Sequence, residues 1–169
     1  MDTAADKDNF LQLIEANKGI IIKICNSYCK NNHDREDLAQ EIIYHLWKSG
    51  KSFNPDYKFS TWMYRVALNV AISFYRKEKR ATPILSINEL HINIEDAPPI
   101  NEDKEKNIQL LQLFISQLKE LDKALILLSF ESKSYKEISE ILGISETNVA
   151  TRISRIKDRL KQQFANHQK

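Results

Sequence analysis

Apolar residues recur along much of this chain at the three- to four-residue spacing of an amphipathic helix. The first such stretch runs from Phe10 to Tyr28 and predicts helix one. The polar run over residues 31–34 breaks the pattern, and Asp34 is placed to cap a second helix. Apolar positions carry this second helix to about Ser49.

A loop and a third helix follow. Gly50–Lys58 contains Asn, Pro and Asp residues, which favour turns over helices, so this segment predicts a loop. Helical spacing resumes at Ser60 or Thr61 and extends to a basic cluster over residues 76–80. We therefore expect three helices to form a first domain over residues 1–80.

Residues 81–106 differ from the segments on either side. They contain three prolines and six acidic residues without a helical period, which predicts an acidic, flexible linker. The period returns at Ile108 and continues to Leu128, so a second small domain is expected over residues 107–169. Because the chain has only 3 Gly and 4 Pro in 169 residues, the predicted fold class is all-α, with two small helical domains joined by a flexible linker.

The segment Ser134–Leu160 has the pattern of a helix-turn-helix. Ser134 is placed to cap a short helix, with Glu137 at the reciprocal position of a capping box. Gly143 allows the positive φ of a tight turn, and Ser145 is placed to cap the helix that follows. DNA-binding proteins use this succession of short helix, tight turn and second helix.

The second helix of this motif has two contrasting faces. Its apolar face carries Val149, Ile153, Ile156 and Leu160. Its polar face carries Thr147, Asn148, Thr151, Arg152, Arg155 and Arg159, with Lys157 to one side. Early residues of such a helix reach base edges in the major groove, and later cations neutralise phosphates. A helical hairpin with solvated cations is the alternative, but the complete motif favours binding to double-stranded DNA.

Charge is unevenly distributed around a net value of +2. Residues 1–80 sum to +3, residues 81–106 to −4 and residues 107–169 to +3, with His taken as neutral. Two mildly basic domains suit a polyanion as partner. No stretch approaches the ~18 apolar residues of a membrane span and no secretory leader is visible, so we expect a cytoplasmic protein without membrane insertion.

Catalytic and metal-binding patterns find little support in the sequence. The four His do not pair at metal-ligand spacing, and no Gly-rich phosphate loop or Ser/His/Asp set occurs. Cys25 and Cys29 lie four residues apart in a helical pattern, which favours two buried thiols over a zinc site. We expect neither an enzyme nor a bound cofactor or metal.

The first domain carries three kinds of candidate surface. Helix two presents an acidic patch suited to a basic protein, comprising Asp34, Glu36, Asp37, Gln40 and Glu41. Helix three ends in the basic cluster, which suits phosphates. Around the loop lie aromatic residues of the kind that hold unstacked bases, namely Phe53, Tyr57, Phe59, Trp62 and Tyr64. Core packing explains Phe59 and Trp62 at least as well, which leaves Phe53 as the better candidate.

These surfaces belong to segments that resemble a known family. Resemblance to the second conserved domain of sigma-70 family factors is carried by DREDLAQEIIYHLW and by SFNPDYKFSTWMYRVALNVAISFYRKEKR. Resemblance to the fourth domain is carried by SYKEISEILGISETNVATRISRIKDRL. The arrangement is similar to that of the extracytoplasmic-function (ECF) group. The resemblance implies a sigma factor that binds core RNA polymerase, directs it to promoters and assists DNA melting.

The resemblance also implies roles for individual residues. Contact with core polymerase is implied for Asp37, Gln40 and Glu41, with Leu38 and Trp47 packing nearby. Binding of the −10 element and its melted strand is implied for Phe53, Trp62, Arg65, Asn69, Arg76, Lys77, Lys79 and Arg80, with Phe53 and Asn69 at the pocket for a flipped base. Entry into the major groove of the −35 element is implied for Arg152, Arg155 and Lys157.

The recognition helix departs from the family pattern at one position. Close relatives often carry Arg directly after the Val of this helix, where this chain has Ala150, and Ser154 replaces a bulkier residue. One lost bidentate contact would weaken base discrimination at the −35 element by about 1–3 kcal/mol. The implied partners are promoter DNA and core polymerase, through its β′ clamp helices and β flap. An anti-sigma factor or another recruiting protein is a further implied partner, which the sequence does not identify.

A conventional helix-turn-helix transcriptional regulator is the alternative function. In that interpretation, residues 1–80 sense a ligand or form a dimer. This alternative leaves Asp37, Gln40 and Glu41 without a purpose, so the pattern favours a sigma factor.

Overall fold

The computed structural model describes the backbone of residues 4–81 and 102–167 and the side chains of residues 6–77 and 106–167. All regular structure in these ranges is helical, so the predicted all-α class is confirmed. The α-helices are α1 (Ala4–Ala16), α2 (Lys18–Tyr28), α3 (Asn32–Ser49), α4 (Phe59–Ala81), α5 (Glu102–Ser116), α6 (Glu120–Phe130), α7 (Tyr135–Leu142) and α8 (Glu146–His167). A short 3-10 helix spans Gly50–Ser52. Most of the predicted linker lies outside the described residues, but its last five residues, 102–106, form the start of α5 rather than part of an irregular linker.

The stretch from Phe10 to Tyr28, predicted as one helix, lies in two helices. The break falls at Asn17, whose φ of −111° and ψ of 12° leave the helical region. The Asn17 Nδ2 donates to the Leu13 carbonyl at 2.8 Å and so closes the end of α1. Because Asn17 and the nearby Gly19 are weak helix formers, the chain can turn here without interrupting its apolar spacing.

Helix α3 begins earlier than predicted. Asn31 is its N-cap, and the Asn31 side-chain oxygen accepts from the Asp34 N–H at 2.8 Å. The Asn31 Nδ2 also donates to the Asp34 carboxylate at 2.8 Å. Asp34 therefore lies in the first turn, where a negative charge favours the positive end of the helix dipole. The predicted cap at Asp34 is wrong.

Helices α2, α3 and α4 pack around a common apolar centre. Its fully buried side chains are Ile24, Leu38, Ile42, Leu46, Met63 and Leu68. Phe10 and Ile14 of α1 are also buried against it. The side chains of Cys25 and Cys29 are both buried, as predicted. Burial raises the pKa of the Cys25 thiol to about 11, which keeps it protonated near neutral pH.

Helices α5 to α8 form a second group. The apolar spacing from Ile108 to Leu128 spans two helices, because α5 ends at Ser116 and α6 begins at Glu120. The fully buried side chains that join this group are Leu118, Leu125, Ile126, Leu128, Ile138, Ile141, Val149 and Ile153. Helix α8 contacts α5, α6 and α7, so the recognition helix is supported along its length.

The two groups of helices contact each other. Helix α4 packs against α6 and α7, and α2 contacts α6. Lys123 of α6 is buried, with only 4% of its surface exposed. Its ammonium lies 4.5 Å from the centre of the Tyr75 ring on α4. A cation thus lies within the contact between the two groups.

Candidate binding surfaces

The helix-turn-helix forms as predicted. The Ser134 Oγ accepts from the Glu137 N–H at 3.2 Å, and the Glu137 carboxylate accepts from the Ser134 N–H at 2.9 Å, which completes the capping box. Gly143 has a left-handed φ of 68°. The Ser145 Oγ accepts from the Asn148 N–H at 3.2 Å and so caps α8. These local contacts set the direction in which α8 leaves the turn.

Helix α8 separates buried from exposed side chains as its sequence predicts. The four predicted apolar residues, Val149, Ile153, Ile156 and Leu160, are buried. Most of the predicted DNA-contacting residues are exposed, namely Thr147, Asn148, Thr151, Arg155, Lys157 and Arg159. Their hydroxyl, amide and cationic groups can hydrogen-bond to bases and phosphates.

Arg152 is positioned differently from the other predicted contacts of α8. Its Nη1 lies 3.0 Å from the Asp122 Oδ1, and its Nε donates to the Asn148 Oδ1 at 3.1 Å. The Arg152 side chain is 40% exposed. A residue predicted to read DNA is therefore held by a carboxylate of α6. Sequence reasoning missed Asp122, because no local pattern connects α6 with α8.

The acidic stripe of α3, defined as Asp37, Gln40 and Glu41, is exposed to solvent. Three- and four-residue spacing continues the same helix face to Tyr44 and Trp47, whose residues are 58% and 41% exposed. The stripe thus runs from carboxylates into two aromatic rings. Tyr44 is one of the apolar residues that predicted helix two, and its three-residue spacing from Glu41 places it on the exposed face.

Leu38 does not share this exposed face. It is fully buried, together with Ile42 and Leu46, on the opposite side of α3. In this position it stabilises the helix that carries the acidic stripe, and its side chain cannot touch a protein partner directly. The other two members of the predicted acidic patch differ in exposure, since Asp34 is partly buried and Glu36 is exposed.

The aromatic cluster is defined as Phe10, Phe53, Phe59 and Trp62. Ring centroids of Phe53 lie 5.2 Å from Phe59 and 5.4 Å from Trp62. Phe10 of α1 reaches within 5.9 Å of Trp62, a contact that sequence spacing does not indicate. Phe59 is buried and Trp62 is partly buried, which supports core packing for both. Phe53 is also half-buried, and Tyr57 is the most exposed aromatic of the loop, at 66%.

Helix α4 carries the remaining predicted contacts of the first domain. Arg65 and Asn69 are exposed and lie four residues apart, so they share a helix face. Lys77 is exposed near the end of the helix. The side chains of Lys79 and Arg80 lie outside the described residues. An exposed polar face therefore adjoins the basic end of α4.

Arg76, also on α4, contacts the second group of helices. Its Nε lies 2.7 Å from the Glu120 Oε1 of α6. Arg76 and Arg152 are thus both paired with carboxylates in the first turn of α6, where Glu120 and Asp122 lie two residues apart.

The described residues offer no site for a metal ion, since no group of His, Cys, Asp or Glu among them could hold one. No helix in the described ranges is long and apolar enough to cross a membrane.

Comparison with known families matches both groups of helices. Residues 13–81 match the family described as Sigma-70 region 2, and residues 108–160 match the family described as Sigma-70, region 4. The ECF RNA polymerase sigma factor SigW of Bacillus subtilis is 31% identical to this chain, and the matched region covers 94% of this chain and 90% of SigW. SigM of the same organism is 29% identical over 80% of this chain and 82% of its own length.

Two solved structures share the fold at 19% identity. The sigma factor RpoE of Bartonella quintana, in complex with the anti-sigma factor NepR, gives a TM-score of 0.66 over 96% of this chain and 98% of its own. CnrH, in complex with the cytosolic domain of CnrY, gives a TM-score of 0.67 over 95% of this chain and 90% of its own.

The chain contains both matched regions within one helical fold. This combination defines a transcription initiation factor that works with RNA polymerase. The chain belongs to the sigma-70 family, in the ECF group of RNA polymerase sigma factors. Its function is to direct RNA polymerase to promoters. Sigma factors are initiation factors and not enzymes, and the chemistry of RNA synthesis belongs to the polymerase.

Proposed function

We propose that the acidic stripe of α3 is the surface through which this sigma factor binds core RNA polymerase. Asp37, Gln40 and Glu41 are exposed on one face, and the same face continues to the exposed rings of Tyr44 and Trp47. Aromatic anchors beside charged groups are typical of protein interfaces. The β′ clamp helices are the proposed partner surface, and Leu38 contributes from the core by stabilising α3.

The aromatic cluster and the exposed face of α4 are proposed to bind the −10 element and to hold an unpaired base during melting. Phe53 offers a half-buried ring for stacking, and Arg65 and Asn69 offer polar groups on α4. Trp62 lies 5.4 Å from Phe53 and holds that ring in place. Stacking and hydrogen bonding can offset the few kcal/mol that unstacking a base costs. Cations at the end of α4, including Lys77, Lys79 and Arg80, neutralise the phosphates.

Helix α8 is proposed to enter the major groove of the −35 element. Arg155 and Arg159 are exposed on the polar face of α8, and the exposed Lys157 lies to one side of it, so all three can approach DNA in the groove. The expected weakness at Ala150 makes the chain a candidate for help from a recruiting protein. Residues 1–80 would thus bind polymerase and the −10 element and residues 107–169 the −35 element and the β flap, with residues 81–106 as the linker.

An anti-sigma factor is the proposed regulator. RpoE and CnrH share the fold, and their structures contain NepR and the cytosolic domain of CnrY, which supports a partner of the same kind here. We place the protein in the cytoplasm, with its holoenzyme associated with the nucleoid, because promoter DNA lies there. A sensing or dimerising role for residues 1–80 is not favoured, because the Sigma-70 region 2 family covers residues 13–81.

Charge reversal in the acidic stripe tests the polymerase-binding surface. Asp37→Lys and Glu41→Lys should each weaken binding to core RNA polymerase at least tenfold, about 1.4 kcal/mol. In the complex the introduced lysine would be buried against a basic partner surface and would be repelled by it. Competition for core polymerase against a labelled sigma factor measures the affinity. Glu15→Lys is the matched control, because Glu15 is an exposed carboxylate on α1 and makes the same change in net charge.

The control variant should compete like the wild type. Unchanged competition by both Asp37→Lys and Glu41→Lys, with helical content preserved by circular dichroism, would contradict the proposed surface.

A further inference from the structure

Arg152 lies between two hydrogen-bond acceptors on different helices. Its Nη1 donates to the Asp122 Oδ1 on α6 at 3.0 Å, and its Nε donates to the Asn148 Oδ1 on α8 at 3.1 Å. Arg152 and Asn148 lie four residues apart and so share a face of α8. The guanidinium therefore connects the start of the recognition helix to α6.

Asp122 is the anchored end of this chain of contacts. It lies in the first turn of α6, where the helix dipole favours a negative charge, and its side chain is only 20% exposed. Residues 123–126, which follow it, are buried, so the core holds this part of α6 in place. Hydrogen bonds between a guanidinium and a carboxylate are stronger than those between neutral groups. Asp122 thus fixes the Arg152 guanidinium, which in turn holds the Asn148 amide.

The contact with Arg152 determines how the Asn148 amide is turned. Because the arginine side chain carries hydrogen-bond donors and no acceptor, the amide must turn its oxygen toward Nε. The oxygen then points along α8 toward the next turn, and the amide NH2 faces away from Arg152. Asn148 is exposed in the first turn of α8, where residues of a recognition helix reach base edges. The side chain is therefore arranged to offer DNA a donor.

This orientation bears on which base Asn148 can read. An unrestrained asparagine suits adenine, because its oxygen accepts from adenine N6 while its nitrogen donates to N7. With the oxygen held by Arg152, that paired contact is not available. Guanine presents two acceptors in the major groove, N7 and O6, and so matches a side chain that offers a donor.

We infer that Asp122 and Arg152 are positioning residues that make Asn148 select guanine rather than adenine in the −35 element. The inference rests on the proposed entry of α8 into the major groove of that element. While Arg152 is paired with Asp122, it affects base selection through Asn148 and not by reading a base itself.

Selection from a promoter library tests this assignment. Core RNA polymerase is reconstituted with the full-length protein, and the transcribed templates from a library randomised across the −35 element are sequenced. The position that loses its base preference in Asn148→Ala is the one that Asn148 reads. We expect the wild type to select a G·C pair at this position.

Removing the guanidinium should change the selected base pair. Arg152→Ala frees the amide oxygen, so the ratio of A·T to G·C pairs at this position should rise about fivefold or more, the discrimination that a bidentate asparagine contact gives. In an Asn148→Ala background, Arg152→Ala should leave the ratio unaltered. Asp122→Asn, which preserves the size of the side chain, should shift the ratio in the same direction by less, because a neutral amide holds the guanidinium more weakly.

Asp158→Asn is the matched control, since Asp158 is an exposed carboxylate on α8. It removes one negative charge and should leave the base preference at this position as in the wild type. A G·C preference that persists in Arg152→Ala would overturn the positioning role, and so would an equal shift in Asp158→Asn.

The outcomes separate this inference from the proposed function. If Asn148→Ala changes the preference at no position, Asn148 reads no base and the inference is overturned. Arg155→Ala decides the proposed function in the same library. A changed −35 selection in Arg155→Ala supports α8 as the reader of the element even where the inference about Asn148 fails.

Discussion

The helix-turn-helix and the aromatic cluster hold their candidate side chains in different ways. On α8, the candidates Arg155 and Arg159 are exposed, while the opposite face supplies the core. In the aromatic cluster, Phe53 and Trp62 contact each other and the buried Phe59. Binding and stability are therefore carried by different residues on α8 and by the same residues in the cluster. Substitutions should separate the two properties in the first region and not in the second.

The largest expected effect is on the stability of the aromatic cluster. Trp62→Ala removes a ring that contacts Phe10, Phe53 and Phe59, and it should lower the free energy of unfolding by about 3 kcal/mol. Urea denaturation measures the change. Arg155→Ala on α8 is the contrasting variant and should stay within about 0.5 kcal/mol of the wild type.

If Trp62→Ala is as stable as the wild type, Trp62 does not contribute to stability. The aromatic cluster would then not combine binding and stability in the same residues. Phe53→Ala should have an intermediate effect, since this ring is half-buried at the loop.

The next effect concerns binding by α8. Arg155→Ala should weaken binding of the reconstituted holoenzyme to promoters selected from a random library, by about 1–3 kcal/mol if the guanidinium reads a base. Arg152→Ala should cost less, because this side chain must first leave Asp122. The selected promoters and their footprints provide the measurement, with Lys161→Ala as an exposed control further along α8. Unchanged footprints in both arginine variants would mean that α8 does not specify the −35 element.

The same contrast explains what sequence could predict. The capping box at Ser134, the turn at Gly143 and the two faces of α8 depend on residues close together in the chain, and all were predicted correctly. Local chemistry determines them, because capping and helical periodicity act over a few residues.

Contacts between distant segments were not predictable in the same way. Phe10 joins the aromatic cluster from α1, and Asp122 and Glu120 reach Arg152 and Arg76 from α6. Each of these contacts depends on how helices pack, which apolar spacing alone does not specify. The break at Asn17 was missed for a related reason, since the apolar spacing of α1 continues into α2.

A smaller effect is expected when each of two exposed glycines near helix ends, Gly143 and Gly19, is replaced by alanine. Gly143 has a φ of 68°, and the position that a Cβ would take is open, so Gly143→Ala should lower the free energy of unfolding by roughly 1–2 kcal/mol through backbone strain alone. Gly19 lies in the first turn of α2, also with open space, and Gly19→Ala should raise it by about 0.5 kcal/mol. Urea denaturation of both variants measures whether each substitution lowers or raises the free energy of unfolding. A stabilising Gly143→Ala would contradict the left-handed turn.

The smallest expected effect is a pH dependence at the start of α7. Hydrogen bonds from the backbone and side chain of Ser134 lower the pKa of Glu137 below its ordinary value of 4.5. Because the pKa is lower in the folded state, this carboxylate adds stability that is present above about pH 4.5 and is lost as the pH falls through the folded-state pKa. Glu137→Gln should therefore flatten the fall in unfolding free energy over that acidic range, measured by urea denaturation at a series of pH values. Glu140→Gln, on the same helix but outside the capping box, should keep the wild-type slope, and an equal slope for all three proteins would show that the capping box carries no charge-dependent stability.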